Sequence, residues 1–380
     1  MILSMVRVFV GATLALAICG GALAAPARAA TTWNVLVGGE SADHALQAQA
    51  FLPTRITIDQ DVTITWTMNA AFVHTVTFLA GGPVPPEPIP AGEDGLLMLN
   101  PQNAFPVGGP NYDGTSFVGS GIIDAKGKSF SLTFTKAGTY SYVCVLHPGM
   151  AGQVVVQAAG SAYPMTQAQI DAQANAELYA KLGQANQQLQ GEQLKSQANS
   201  DGTTTYTVIN GVGGNQSSVL RFLPVDVTVK AGDSIAFPVD DPHEIHTVTF
   251  YDPAGQAPPF LTPKPQSSGP PKLIIPHALP QGGNRVEDPK ALYNSGIVGP
   301  GQSFTFTFPK AGVYSYVCVI HAPQGMFGKI VVEAAGAPGT PVSLPNTGAD
   351  ADTPLLPLLG GVLLLLMGAL TRRVWYRPAS

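Results

Sequence analysis

Two short stretches of the 380-residue chain hold the residue types suited to redox chemistry. The first reads KAGTYSYVCVLHPGM from Lys136 to Met150, and the second KAGVYSYVCVIHAPQGM from Lys310 to Met326. In each, a Cys closes a β-rich run, a His follows three positions later and a Met comes shortly after. Upstream of each stands the phrase HTVTF, beginning at His74 and again at His246. One thiolate, two imidazoles and a thioether form the trigonal His₂Cys set with a weak axial Met that suits copper and one-electron transfer. The chain spells that set twice, as His74, Cys144, His147 and Met150, then as His246, Cys318, His321 and Met326.

The elements that must position these ligands follow from their spacing. A strand period of two puts Tyr140, Tyr142 and Cys144 on one face, so the sulfur points inward where the strand ends. His147 and Met150 then fall on the next turn, and one loop supplies three ligands. His74 must arrive from a distant strand. Gly149 and Gly325 suit a chain that bends sharply around a metal. Two other chemistries compete. Paired cysteines in an exported chain are ordinarily a disulfide, but a single bridge explains neither the repetition nor the histidines. Zinc also takes Cys and His, yet has no use for a Met placed beyond the His.

The pattern resembles the cupredoxin family of small blue copper proteins, over roughly residues 31–158 and 203–335. The first loop has the C-x₂-H-x₂-M spacing of amicyanin-type members, and the second the C-x₂-H-x₄-M spacing of plastocyanin. The resemblance implies two type 1 copper ions per chain and redox partner proteins at the cell surface.

Read in order, residues 1–30 form an export signal. Arg7 precedes an apolar core from Val8 to Cys19, and Ala27-Arg28-Ala29 makes a small-residue cleavage site. Removal leaves Cys144 and Cys318 as the cysteines of the mature chain. Residues 31–158 and 203–335 repeat one another: Phe51, His74 and Cys144 recur as Phe222, His246 and Cys318, at offsets of 171, 172 and 174. Ile56, Ile58, Val62, Ile64 and Trp66 keep the alternation of one buried face. The expected fold is all-β: two tandem cupredoxin-like Greek-key β-sandwiches joined by a helical linker.

That linker spans residues 159–202. Thr166 and Gln169 make a capping box, and Ile170, Ala174, Leu178 and Leu182 a thin apolar stripe that fades beyond them, with Gly183 as a point of bending. It reads as a spacer. Long Pro- and Gly-rich stretches at 81–119 and 252–294 are expected to fold over the copper edge. Residues 336–353 form a Pro/Gly-rich stalk carrying Leu344-Pro345-Asn346-Thr347-Gly348, an LPxTG sorting motif. Residues 354–380 add an apolar run of 17 residues from Pro354 to Leu370 and then Arg372, Arg373 and Arg377. That order anchors the chain to cell wall or membrane and leaves the sandwiches outside.

Nineteen basic against 24 acidic residues give no case for nucleic acid. A copper oxidase or nitrite reductase would need histidines beside the Cys. Instead valines flank Cys144 and Cys318, and His44, His243 and His277 are scattered, His243 on an exposed loop. The reading is therefore a non-enzymatic electron carrier, with copper sequestration or delivery as the alternative. Asp240, Asp241 and Glu244 beside His246 predict a lower potential at the second site, and the longer second loop predicts a different seat and exposure for Met326.

Overall fold

A computed structural model describes residues 32–92, 95–191 and 194–336. The export signal, the LPNTG motif and the apolar run after it lie outside the described residues, among which no helix is long and apolar enough to cross a membrane.

The first repeat begins with β1 (Thr32–Glu40), β2 (Leu46–Leu52), β3 (Arg55–Asp59) and β4 (Val62–Met68). Short strands follow, β5 (Thr77–Phe78), β6 (Ile89–Pro90) and β7 (Leu97–Met98), then a turn of helix α1 (Pro101–Ala104), β8 (Asn111–Tyr112) and β9 (Val118–Gly119). It closes with β10 (Ser129–Phe134), β11 (Gly138–Val143) and β12 (Ala151–Gln157). One sheet holds β1, β2, β4, β10 and β8; the facing sheet runs β3-β12-β11-β5-β9. The alternating residues from Ile56 to Trp66 are all buried, although β3 and β4 lie in opposite sheets. Both sheets face one core, so the chain crosses at Asp61 (φ 64°) and keeps the same residues inward. Trp66 is fully buried there against Phe78 and Tyr142.

After the helix α2 (Gln167–Gly191) come β13 (Lys195–Ala198), β14 (Thr204–Thr207), β15 (Ile209–Gly213) and β16 (Ser217–Leu223). Then follow β17 (Asp226–Lys230), β18 (Ser234–Pro238), β19 (Thr249–Phe250), β20 (Thr262–Lys264), β21 (Lys272–Ile275) and β22 (Tyr293–Asn294). The last are β23 (Ser303–Thr307), β24 (Gly312–Val317) and β25 (Phe327–Glu333). The second sandwich is β13-β14-β18-β23 over β17-β25-β24-β19-β22. What is one long strand in the first repeat, β1, is broken at Val208 in the second, and its two halves part company. β14 pairs with β18, as β1 pairs with β4. β15 and β16 leave as a hairpin.

That hairpin builds the first of three seams between the repeats. β16 pairs antiparallel with β2, Ser217 opposite Ala48, so the first sheet runs β15-β16-β2-β1-β4-β10-β8 across both repeats. The edge that β2 would offer to another chain is thereby covered. The second seam is α2. Thr166 caps it, its N–H donating to Gln169 Oε1 at 2.8 Å. The helix is unbroken at Gly183 and is no free spacer. Ile170 and Ala174 are buried, and the apolar stripe continues through Ala185 and Leu189. Ala174 and Leu178 pack on Leu36, Ala50 and Leu52 of the first repeat, whereas Ala185 and Leu189 pack on Ile209, Val212 and Val219 of the second. An Ala- and Gln-rich helix gives a weak periodic signal because small side chains suffice to lie flat on a sheet. The third seam joins the two long insertions: β7 pairs with β21, Leu97 opposite Ile275, in a sheet ordered β20-β21-β7-β6.

Candidate metal centres

Each ligand loop starts where a strand stops. β11 ends at Val143, and Tyr142 and Cys144, two apart, both point into the core. The loop is closed by its backbone: Met150 N–H donates to His147 O at 3.1 Å, and Cys144 N–H to Met150 O at 3.0 Å. Gly149 sits at φ 83°, where a side chain would strain the turn. In the second repeat the additional residues form a 3₁₀ turn, Ala322–Gln324, that ends on Gly325 at φ 77°. Met326 returns to the equivalent place, with Cys318 N–H donating to Met326 O at 3.1 Å. The longer loop therefore produces neither a different backbone seat nor a more open site, since Met150 and Met326 are both buried.

The distant histidines arrive as the spacing requires. His74 bridges to Ile123 and His246 to Val298, each just before the short strand that pairs with the Cys strand. His74 Nδ1 lies 3.9 Å from Cys144 Sγ, and His147 Nδ1 lies 3.3 Å from it. In the second centre the corresponding distances are 3.8 Å and 3.3 Å, with the two Nδ1 atoms 3.1 Å apart. The donor atoms of His74, Cys144 and His147 fall within 4.8 Å of one another, as do those of His246, Cys318 and His321. Cys144 and Cys318 are both free and buried, which excludes the bridge between them.

Burial sets the protonation of the donors. It holds His74 and His246 down at about 3, and His147 and His321 well below the imidazole range, with the neighbouring histidines adding to the effect. The imidazoles are thus neutral, as ligation demands. Burial pushes the Cys318 thiol up to about 11 and raises Cys144 as well, opposed by N–H donors. A cation would offset that cost by binding the thiolate. Neutral imidazole nitrogens converging on a buried free sulfur, beside a buried Met, match a copper ion, the soft ligands suiting Cu(I) and the imidazoles either charge state.

One layer outward, a pair of threonines escaped the sequence reading. Thr75 N–H points at Cys144 Sγ from 3.3 Å, and Thr75 Oγ1 accepts from Val145 N–H at 2.9 Å. Thr247 repeats both contacts at 3.3 and 3.0 Å. The signal was present in HTVTF, whose first Thr recurs along with the His. Gly38 and Gly211 are equally legible only in space. A Cβ at Gly38 would stand 2.6 Å from His74 Nε2, and one at Gly211 2.2 Å from His246 Nε2.

The two centres face each other. Glu244, buried at the seam, places Oε1 3.4 Å from His147 Nε2 and Oε2 3.3 Å from His321 Nε2. Gln49 Nε2 donates to its Oε1. Burial, and then Asp241, raise this carboxyl well above the usual range. Phe72 lies against the same two rings, with centroids 5.3 Å and 5.1 Å away. Glu244 therefore belongs to both centres, and the acidic cluster does not single out the second. His243 is likewise no exposed loop residue: its Nδ1 is 2.6 Å from Pro148 O in the first ligand loop, and its Nε2 accepts from Gln216 N–H at 3.1 Å. Neither ring nitrogen is left for a further metal. The long insertions do cover this edge. Leu99, Phe260 and Ile275 from them line a cavity of about 200 Å³ beside His147, Phe72 and Glu244.

Comparison with known proteins agrees with this architecture. Residues 36–157 and 206–333 each match the family described as copper binding proteins, plastocyanin/azurin family. Residues 338–374 match the LPXTG cell wall anchor motif, which makes this an extracytoplasmic protein anchored to the cell wall. The chain is 32% identical to the chloroplastic plastocyanin of Tetradesmus obliquus over 37% of its own length and 76% of that protein. It is also 32% identical to that of Silene latifolia subsp. alba, over 39% and 72% respectively. Among solved structures it is similar to a Cu(I) form of an amicyanin mutant, at 24% identity over 33% of this chain and 83% of that one, with a TM-score of 0.22.

Proposed function

Because this chain belongs to the plastocyanin/azurin family of copper-binding proteins, we propose that it is a two-centre electron carrier at the cell surface. His74, Cys144, His147 and Met150 would hold one type 1 copper ion, and His246, Cys318, His321 and Met326 a second. Copper so bound supplies one-electron exchange between its Cu(I) and Cu(II) forms. The protein is not an enzyme, and its partners in this reading are redox proteins outside the cell.

The observation that carries the reading is the doubled, fully buried donor set. Its residues are held by the surrounding fold: the backbone closes each ligand loop, Thr75 and Thr247 contact the sulfurs, and neutral imidazoles are aimed from two sides. A site held by the core of a β-sandwich changes little between charge states, which favours fast exchange. Cys144, His147, Cys318 and His321 are each 3% exposed or less. Ligands so enclosed suit retention of copper through many cycles better than its delivery to another protein.

The test is copper stoichiometry and visible absorption on the fragment from Thr31 to Pro341. Two ions per chain and an intense thiolate-to-copper band are expected. A fully loaded chain without that band, or one that takes a single ion, refutes the proposal.

A further inference from the structure

Glu244 is the one carboxylate among the described residues that touches candidate ligands of both centres. It is 3% exposed and lies among Phe72, Ile245 and Ile320, surroundings in which an unpartnered charge is costly. Its partners are Gln49 from the first repeat, His147 from the first centre and His321 from the second. Each oxygen lies beside one imidazole. Because Nδ1 of both rings is turned towards a Cys sulfur, Nε2 is the N–H side in each. A group that holds Nε2–H fixes both the tautomer and the rotation of a ligating imidazole.

We propose that Glu244 is a shared positioning residue, a single carboxylate from the second repeat that orients His147 of the first centre through Oε1 and His321 of the second through Oε2, and so links the two centres into one electrostatic unit. The inference rests on the two-copper reading. It extends that reading by making the sites interdependent: what perturbs this carboxylate perturbs both. Nε2 of His321 lies 3.3 Å from Glu244 Oε2 without hydrogen-bond geometry, whereas Nε2 of His74 and of His246 faces Gly38 and Gly211 with no carboxylate beside it. The two classes of histidine are thus internal controls for each other.

The experiment uses the full chain in two arms. In the first, Glu244→Gln is introduced into copper-loaded Cys318→Ser, which keeps the first centre alone, and into Cys144→Ser, which keeps the second. A copper ion bound beside it keeps this carboxylate charged, and loss of that charge favours Cu(I). The Cu(I)/Cu(II) ratio at fixed ambient potential is expected to rise about tenfold in both backgrounds, equivalent to ~59 mV for a one-electron couple. A change in only one background, or in neither, overturns the proposal. In the second arm, ¹⁵N spectra of the metal-free chain without substitutions report the ring tautomers. Nε2–H forms of His147 and His321, slow to exchange, are expected, and an Nδ1–H form of either ring overturns the proposal even where the variant does not fold. Failure of the two-copper reading is distinct, since it shows as missing copper or missing thiolate absorption in the parent chain.

Discussion

Phe72 and Glu244 occupy the same position in the two repeats, two residues before the first candidate ligand histidine, and both rest against His147 and His321. The duplication is therefore symmetric in backbone and asymmetric in chemistry at its centre. Two glutamates there would bury like charges against each other, and two phenylalanines would leave both Nε2–H groups unpaired. One of each fills the seam with apolar surface and still places a carboxylate oxygen within 3.4 Å of each imidazole.

Phe72→Glu should therefore be much worse than Phe72→Leu. It sets a second, uncompensated carboxylate against the first, at a cost of about 3–5 kcal/mol. Chemical denaturation of the two metal-free variants measures the difference, and equal stabilities would contradict this account of the seam.

Gly38→Ala and Gly211→Ala should each damage one centre. At φ 66° and 82° a side chain is already strained, and its Cβ would displace the His74 or the His246 ring. Copper affinity at the affected centre is expected to fall roughly 10–100-fold, as when the support of a ligand is lost. Competitive chelator titration, read at each centre through the Cys318→Ser and Cys144→Ser backgrounds, separates the two.

The metal-free fold should weaken on mild acidification. Burial keeps His74 and His246 at about 3, below the ordinary imidazole value of 6.5, so the unfolded chain takes up protons that the folded chain refuses. The stability these residues lend is complete above pH 6.5 and is lost as the pH falls from there towards 3. The slope is about 1.4 kcal/mol per pH unit for each histidine. Urea midpoints across that window check it, and His74→Asn should flatten the slope by one histidine's share.

The two repeats should unfold together. One sheet, one helix and one inserted sheet are each built from both, so circular dichroism and tryptophan fluorescence should trace a single transition. A fragment ending at residue 158 should self-associate, because β2 then exposes the edge that β16 covers. Sedimentation of a strictly monomeric fragment would count against this.

By itself the sequence determined the candidate donors, their loops and the all-β repeat. Those features are written locally: a strand alternates its faces every residue, so Tyr142 and Cys144 must point alike, and the turn after them must carry His147. The capping of α2 by Thr166 and Gln169 is local in the same sense. Only the tertiary structure decided that the centres face each other, that α2 lies across a seam, and that Glu244 reaches a histidine 97 positions earlier in the chain. The joining of β2 to β16 and of β7 to β21 rests on backbone N–H and C=O groups, which every residue carries and no residue type announces. Glu244 next to His246 reads as a surface acid because nothing nearby in the chain shows that docking of the repeats buries it. Its role is set by where two rigid sandwiches meet, and that depends on the fit of whole surfaces.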